Sequence, residues 1–187
     1  VTRDGRRVTF GMRRQYCATS ATYRAHTQRI VSAMATHFAG HPHVVAWQVD
    51  NEFGCHDSTR CYCPECRDAF AAWARQRYDF LAILNEVWGT SFWSHTYTDW
   101  SQVPLPWEST GVSDPGLELD FDRFASDQMI AYQQLQIDAL RAVDPHCRVT
   151  TNYMGFAFDT IDYYRMARPL DLCAWDNYPS LHALDPV

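Results

Sequence analysis

The sequence predicts an α/β fold in which short parallel strands alternate with helices. Three short apolar segments are separated by longer segments whose apolar residues recur at helical spacing. Such alternation is typical of parallel strands joined by right-handed crossovers. Each predicted strand is followed by polar or aromatic residues, and a parallel α/β sheet places its functional site at that edge.

The predicted elements are given by apolar spacing and by chain-breaking residues. Helices are expected at residues 19–38, 65–78, 80–88, 121–143 and 159–167, and strands at 43–49, 148–153 and 170–175. Gly40 and Pro42 end the first helix, and Pro145 ends the longest. The stretch 91–116, rich in Trp and Pro, is expected to be irregular. No glycine-rich phosphate loop follows a strand, so part of a (β/α)8 TIM barrel fits better than a doubly wound sheet.

Length and charge narrow the classes of function. The chain has 187 residues in one expected domain, whereas a complete barrel typically needs about 250, so we expect a fragment. The net charge of -6 is spread along the sequence, which argues against nucleic acid or an anionic membrane as partner. No apolar run is long enough to predict a membrane span.

Glu52 is the candidate catalytic residue, because it directly follows an apolar predicted strand. Glycoside hydrolysis needs one carboxylic acid that protonates the leaving oxygen and a second carboxylate. A partly desolvated acid keeps its proton more readily, and Trp47 and Phe53 lie beside Glu52 in sequence. Asn51 could then donate to a sugar hydroxyl. The alternative is a strand-end pair that only caps the following loop or pairs with an arginine.

A cysteine cluster predicts a metal site in the loop at 55–66. Cys61, Cys63 and Cys66 form a C-x-C-x-x-C pattern, and three such thiolates can converge on one ion. A fourth ligand from elsewhere would complete a tetrahedron, which describes a structural zinc site rather than a catalytic one. Cys55 and His56 compete for the fourth position. Reduced cysteines without metal are the alternative interpretation.

Five segments resemble the β-galactosidases of glycoside hydrolase family 42, in the order that the family has them. They are GMRRQYC at 11–17, WQVDNEFG at 47–54, CHDSTRCYCPEC at 55–66, LNEVWGTSFWS at 84–94 and WDNYP at 175–179. The resemblance covers nearly the whole chain. It implies a TIM barrel fragment running from about the third βα loop through the sixth strand.

The resemblance also implies roles for individual residues. Glu52 would be the acid/base of a retaining β-galactosidase, and Arg13, Asn51 and Trp93 would bind the galactose. Cys17 would join Cys61, Cys63 and Cys66 as the fourth ligand of a structural zinc. A β-galactoside substrate, a homotrimer and a cytoplasmic location are further expectations from the family.

The nucleophile is not expected within this chain. In the clan to which this family belongs it follows the seventh barrel strand, and the strand at 170–175 would be the sixth. Glu65, Glu86, Glu108 and Glu118 follow no predicted strand, and the resemblance makes Asp176 at most a pocket residue. We therefore expect the fragment to be inactive alone. Two alternatives stay open: a clan relative that cleaves β-mannosides or α-L-arabinopyranosides, and a non-catalytic, zinc-stabilised carbohydrate-binding protein.

Overall fold

Three parallel strands form the sheet of the computed structural model, which describes residues 1–11, 13–109, 111–155 and 158–178, without the side chain of Trp93. They are β1 (Trp47–Gln48), β2 (Val149–Tyr153) and β3 (Leu172–Trp175), in the order β1-β2-β3. Thr150 of β2 lies opposite Gln48 on one side and Leu172 on the other. The predicted alternation of parallel strands with helices is therefore confirmed.

The described residues also form five α-helices. They are α1 (Ala21–Phe38), α2 (Pro64–Tyr78), α3 (Leu81–Trp88), α4 (Pro115–Arg141) and α5 (Tyr163–Ala167). Helix α3 ends at Gly89, whose φ of 69° suits a residue without a side chain. No helix in the described part of the chain is both long and apolar enough to cross a bilayer.

Several predicted boundaries were wrong. Helix α4 begins at Pro115 rather than at 121, because the Asp114 carboxylate accepts hydrogen bonds from the first backbone N–H groups and proline suits the first helical position. Helix α5 begins at Tyr163 rather than 159, where the Asp162 side chain accepts from the backbone of Arg165. The segment 91–116 contains two short 3-10 helices as well as the start of α4.

Strand β1 is much shorter than the predicted 43–49. It pairs with β2 on one side only, through bonds such as that from the Trp47 N–H to the Arg148 carbonyl oxygen at 2.8 Å. Val45 is 80% exposed, so the start of the apolar run is neither paired nor covered. Apolar content alone therefore overestimated the length of the strand.

The buried apolar residues form two cores. The sheet-side core contains residues of the strands, α1 and the second half of α4, among them Val49, Phe53, Met129, Tyr132, Ile137, Val149 and Met166. The aromatic core is formed by α2, α3 and the first half of α4, and includes Tyr62, Phe70, Tyr78, Leu84, Trp88, Phe121 and Phe124. Helix α4 contributes to both cores and so joins them.

Candidate active site and metal centre

The carboxyl ends of the three strands bring polar side chains together at one edge of the sheet. Glu52 follows β1, Asn152 lies near the end of β2 and Asp176 follows β3. The Glu52 backbone N–H donates to the Asn152 carbonyl oxygen at 3.2 Å, and the Asp176 N–H donates to the Tyr153 carbonyl oxygen at 2.8 Å. Parallel pairing therefore continues just beyond the strands and fixes these residues relative to one another.

Glu52 occupies a largely desolvated position. Its side chain is 14% exposed, and its backbone has a φ of 46°, a left-handed conformation that is costly for a residue with a side chain. The next residue, Phe53, is fully buried in the sheet-side core. Gly54 follows with φ 80°, and a side chain there would collide with Thr59. The turn after β1 is thus anchored on one side and directs the Glu52 carboxyl to the sheet edge.

Arg13 lies beside Glu52, so the structure brings together two of the residues that the family resemblance implies for the site. Its Nη2 atom is 3.5 Å from Oε2 of Glu52, and its side chain is 62% exposed, so most of the guanidinium remains free to donate to a ligand. Asn51 adjoins Glu52 and is half-buried, and its backbone N–H donates to Oδ1 of Asp50 at 2.7 Å. Trp93 belongs to the 3-10 helix Phe92–Ser94, but its side chain lies outside the described part of the structure.

Asn152 links all three strand ends, a role that no local sequence pattern predicted. Its Oδ1 accepts from Nε2 of Gln48 at 2.9 Å and from the Glu52 backbone N–H at 3.3 Å. Its Nδ2 donates to Oδ1 of Asp176 at 2.9 Å. Hydrogen bonds from Asn152, and then from Glu52, lower the pKa of Asp176, which therefore stays anionic beside Glu52.

A buried ion pair lies directly beneath the turn that carries Glu52. The Arg14 and Asp50 side chains are only 9% and 13% exposed, and Nη1 of Arg14 lies 2.8 Å from Oδ1 of Asp50. Burial alone would lower the pKa of Arg14, but the hydrogen bond with Asp50, the bond with Cys55 and the charge of Asp50 outweigh that effect and raise it. Arg14 is therefore a permanent cation. In the sequence it is indistinguishable from its neighbour Arg13, so the pair was missed.

Four cysteines converge as predicted, although they come from two distant segments. The sulfur atoms of Cys17, Cys61, Cys63 and Cys66 all lie within 4.8 Å of one another. The Cys17 sulfur is 3.4 Å from that of Cys66 and 3.9 Å from that of Cys63, too far for a disulfide. A tetrahedral ion with metal–sulfur bonds of about 2.3 Å holds its ligands about 3.8 Å apart. The cluster thus has the size of a four-thiolate metal site.

The thiols of this cluster differ in pKa. Hydrogen bonds from Cys17 and Cys66 lower the pKa of Cys61, whereas the bond with Cys61 raises that of Cys17 to about 12. Cys55, a predicted competitor for the fourth ligand position, is buried elsewhere and its sulfur accepts from Nε of Arg14 at 3.1 Å. Neither Cys55 nor His56 belongs to the group of converging ligands.

Comparison with known proteins identifies the family. The model of glycoside hydrolase family 42, described as β-galactosidase, matches residues 1–186. The chain belongs to this family. A β-galactosidase of Thermus thermophilus is 46% identical over 179 residues, which cover 96% of this chain and 28% of that protein. The chain therefore spans little more than a quarter of the length of this curated family 42 relative.

Solved family 42 structures show the same architecture. A β-galactosidase from the haloarchaeon Halorubrum lacusprofundi superposes with a TM-score of 0.92 at 42% identity, covering 95% of this chain and 26% of that one. A β-galactosidase from Marinomonas ef1 gives a TM-score of 0.91 at 38% identity, covering 95% and 27%. The predicted fold class, a segment of a TIM barrel, is confirmed. The uncovered β3, whose Leu172 is 54% and Trp175 61% exposed, fits such a segment.

The other glutamates of this family 42 chain lie away from strand ends. Glu65, Glu86 and Glu118 belong to helices α2, α3 and α4. Glu108 lies in an irregular segment, where its backbone N–H donates to the Arg3 carbonyl oxygen at 3.2 Å. Among the residues that the structure describes, Glu52 is thus the one glutamate at the sheet edge.

Proposed function

We propose that this chain supplies the acid/base half of the active site of a retaining β-galactosidase that releases terminal galactose from small β-galactosides. The observation that carries the proposal is the position of Glu52. It is a largely desolvated carboxyl at the carboxyl edge of a parallel sheet, beside an exposed guanidinium, in a chain of family 42. Such a group can protonate a glycosidic oxygen and then activate water.

The remaining roles are proposed from the resemblance to the family, and the position of Arg13 beside Glu52 supports one of them. Arg13 would donate to galactose hydroxyls with the part of its guanidinium that faces away from Glu52, and Asn51 would donate from the same turn. Trp93 would line the sugar site. The nucleophile, about 5 to 5.5 Å from the acid/base in a retaining enzyme, would come from another part of the complete protein. This chain alone would then bind but not cleave the substrate.

The experiment uses the complete gene product that contains this chain, assayed on nitrophenyl β-galactoside. Because Glu52→Ala removes the general acid and base, we expect kcat to fall by about 10² to 10⁴-fold. Azide should partly restore the rate by attacking the galactosyl-enzyme in place of base-activated water. Glu86→Ala, on helix α3, is the matched control. Full activity of the Glu52 variant would refute the proposal, and faster cleavage of mannosides or arabinosides would redirect the sugar assignment.

The cysteine cluster is proposed to hold a structural zinc. Four sulfur ligands at tetrahedral spacing leave no open coordination position, so the ion would fasten the loop at 55–66 to the segment around Cys17 rather than act on substrate. Metal analysis of the purified protein should give one zinc per chain. Cys66→Ser should lose most of it, whereas Cys147→Ser, outside the cluster, should retain it. Equal zinc in both variants would contradict the assignment.

The complete protein is proposed to be a cytoplasmic homotrimer, as the resemblance to the family implies. Unpaired cysteines agree with a reducing compartment. Light scattering of the purified protein tests the trimer, and cell fractionation tests the location. A stable monomer would contradict the trimer, and a secreted product would contradict the cytoplasmic location.

A further inference from the structure

Arg14 makes four side-chain contacts with the turn and the loops around Glu52. Its Nη1 donates to Oδ1 of Asp50 and to the Tyr16 hydroxyl oxygen, both at 2.8 Å. Its Nε donates to the Cys55 sulfur at 3.1 Å, and its Nη2 lies 3.5 Å from the Glu52 carbonyl oxygen. One buried guanidinium therefore contacts both ends of the turn from Asp50 to Cys55.

The turn needs such a constraint because its backbone is strained. Asp50 has φ 53° and Glu52 has φ 46°, and Arg14 itself has φ 64°. Left-handed conformations at residues with side chains persist only where the surroundings over-determine them. Here the Asp50 carboxylate is shared between the Arg14 guanidinium and the Asn51 backbone N–H at 2.7 Å, so the ion pair holds the backbone that carries both Asn51 and Glu52.

The geometry of the contacts calls for an arginine. The guanidinium is a rigid planar fork with donors in several directions, whereas a lysine ammonium is a compact point charge that cannot reach all four partners. Burial raises the pKa of Tyr16, so its hydroxyl stays neutral beside the permanent Arg14 cation. Arg14 and Tyr16 therefore each keep one protonation state over the pH range of an assay.

We propose that Arg14 is a positioning residue for Glu52, holding the strained turn so that the carboxyl points at the leaving oxygen. The inference rests on the proposed acid/base role of Glu52. Arg14 touches the backbone and the neighbours of Glu52 rather than its carboxyl, whereas Arg13 touches the carboxyl directly. The adjacent arginines Arg13 and Arg14 therefore have different functions, ligand binding and turn support.

The test is how the rate depends on the leaving group, measured as kcat/KM with a series of aryl β-galactosides on the complete gene product. A misplaced general acid slows substrates with basic leaving groups, which need protonation, much more than 2,4-dinitrophenyl galactoside, which needs none. For Arg14→Lys we expect a loss of about 10²-fold on phenyl galactoside, the scale of a misplacement of about 1 Å. The loss on the dinitrophenyl substrate should be below roughly fivefold.

Arg24→Lys is the matched control. Arg24 is also partly buried, but it donates to the Ala18 carbonyl oxygen at 2.6 Å and to Gln128, away from Glu52. Its variant should show the wild-type dependence on the leaving group. A loss in Arg14→Lys that is equal on all substrates, or no loss, would overturn the proposal, because a merely structural role lowers every rate alike.

Two further variants separate the possible failures. If Arg14→Lys does not fold, Asp50→Asn can replace it, because this variant keeps the shape of the side chain while removing one charge of the pair. It should also lose more kcat/KM on phenyl galactoside than on the dinitrophenyl substrate, but by a smaller factor than Arg14→Lys. A uniform loss in that variant also overturns the proposal. Glu52→Ala must itself show a steep dependence on the leaving group. If it does not, the proposed function fails; if it does and the Arg14 and Asp50 variants do not, only the positioning role fails.

Discussion

The aromatic core and the strand-end site are held together by opposite means, although helix α4 reaches both. In the aromatic core, rings pack in bulk: Phe70 lies 5.5 Å from Phe121 and 5.4 Å from Phe124 between ring centroids. At the strand ends, single polar atoms decide the arrangement, as in the Arg14–Asp50 pair. Bulk packing distributes stability over many contacts, whereas a polar network depends on each member.

The aromatic core also contains a buried polar group. Buried beside the aromatic core is Asp120, 1% exposed, which accepts from the Trp88 indole N–H at 3.0 Å and from Arg123 at 2.9 Å. The Tyr78 hydroxyl also donates to it. This carboxylate links helices α2, α3 and α4 around the rings and is itself buried. The strand-end carboxylates instead face the sheet edge, where a ligand can reach them.

The largest expected effect is a loss of stability in the aromatic core without a loss of activity. Phe70 is fully buried among rings, so Phe70→Ala leaves a cavity and should lower the free energy of unfolding by about 3–5 kcal/mol. The kcat of the folded protein should be unchanged. Denaturant unfolding and kcat, measured on the complete gene product, check both statements. Phe70→Leu, which keeps most of the volume, should cost clearly less; an equal cost would argue against cavity formation.

Removal of zinc should cause the second-largest loss of stability, because the proposed ion joins the two regions. A ligand present at about 1,000 times its Kd stabilises the folded state by about 4 kcal/mol, so chelation should lower Tm correspondingly. Zinc must displace the proton of Cys17, whose pKa in the metal-free cluster is raised to about 12 by its bond with Cys61. Zinc affinity should therefore rise with pH, and the ion should be lost as pH falls.

Titration with a chelator at several pH values, followed by thermal unfolding, measures this linkage. Cys147→Ser should behave as wild type, because Cys147 lies outside the cluster. A Tm that does not respond to the chelator would mean that the loop is held by protein contacts alone. One such contact already exists, the ion pair between Arg60 Nε and Asp122 Oδ1 at 2.6 Å.

Several features of the fold and of the candidate site could be predicted from the sequence. The features that could not be predicted share a physical reason. The convergence of Cys61, Cys63 and Cys66 follows from local spacing, and the strand-end position of Glu52 follows from the geometry of parallel sheets. The place of Cys17 beside them was implied only by the family resemblance. Arg14 and Asn152 escaped notice because their partners are distant in the chain: Asp50 is 36 residues from Arg14, and Glu52 is 100 residues from Asn152. Burial of a particular arginine is a property of the fold that no local pattern reports.

The boundaries that were wrong reflect competition between signals. Asp114 and Pro115 begin α4, but the Trp- and Pro-rich stretch before them predicted irregular structure as far as Gly116. Gly116 itself is required by packing, since a side chain there would lie 2.9 Å from the Trp88 Cα atom. A glycine that looks like a loop residue thus lies inside the first turn of the longest helix, where it lets α4 approach α3.

The smallest expected effect tests that helix start directly. The Asp114 carboxylate accepts from the Gly116 N–H at 2.8 Å and from the Leu117 N–H at 3.2 Å, and α4 carries residues of both cores. Asp114→Ala should lower the free energy of unfolding by about 1 kcal/mol, the usual value of an N-cap, while Asp114→Asn should retain most of it. A larger loss that also reduces kcat would show that the start of α4 transmits strain to the strand ends, and that the two regions are less independent than their packing indicates.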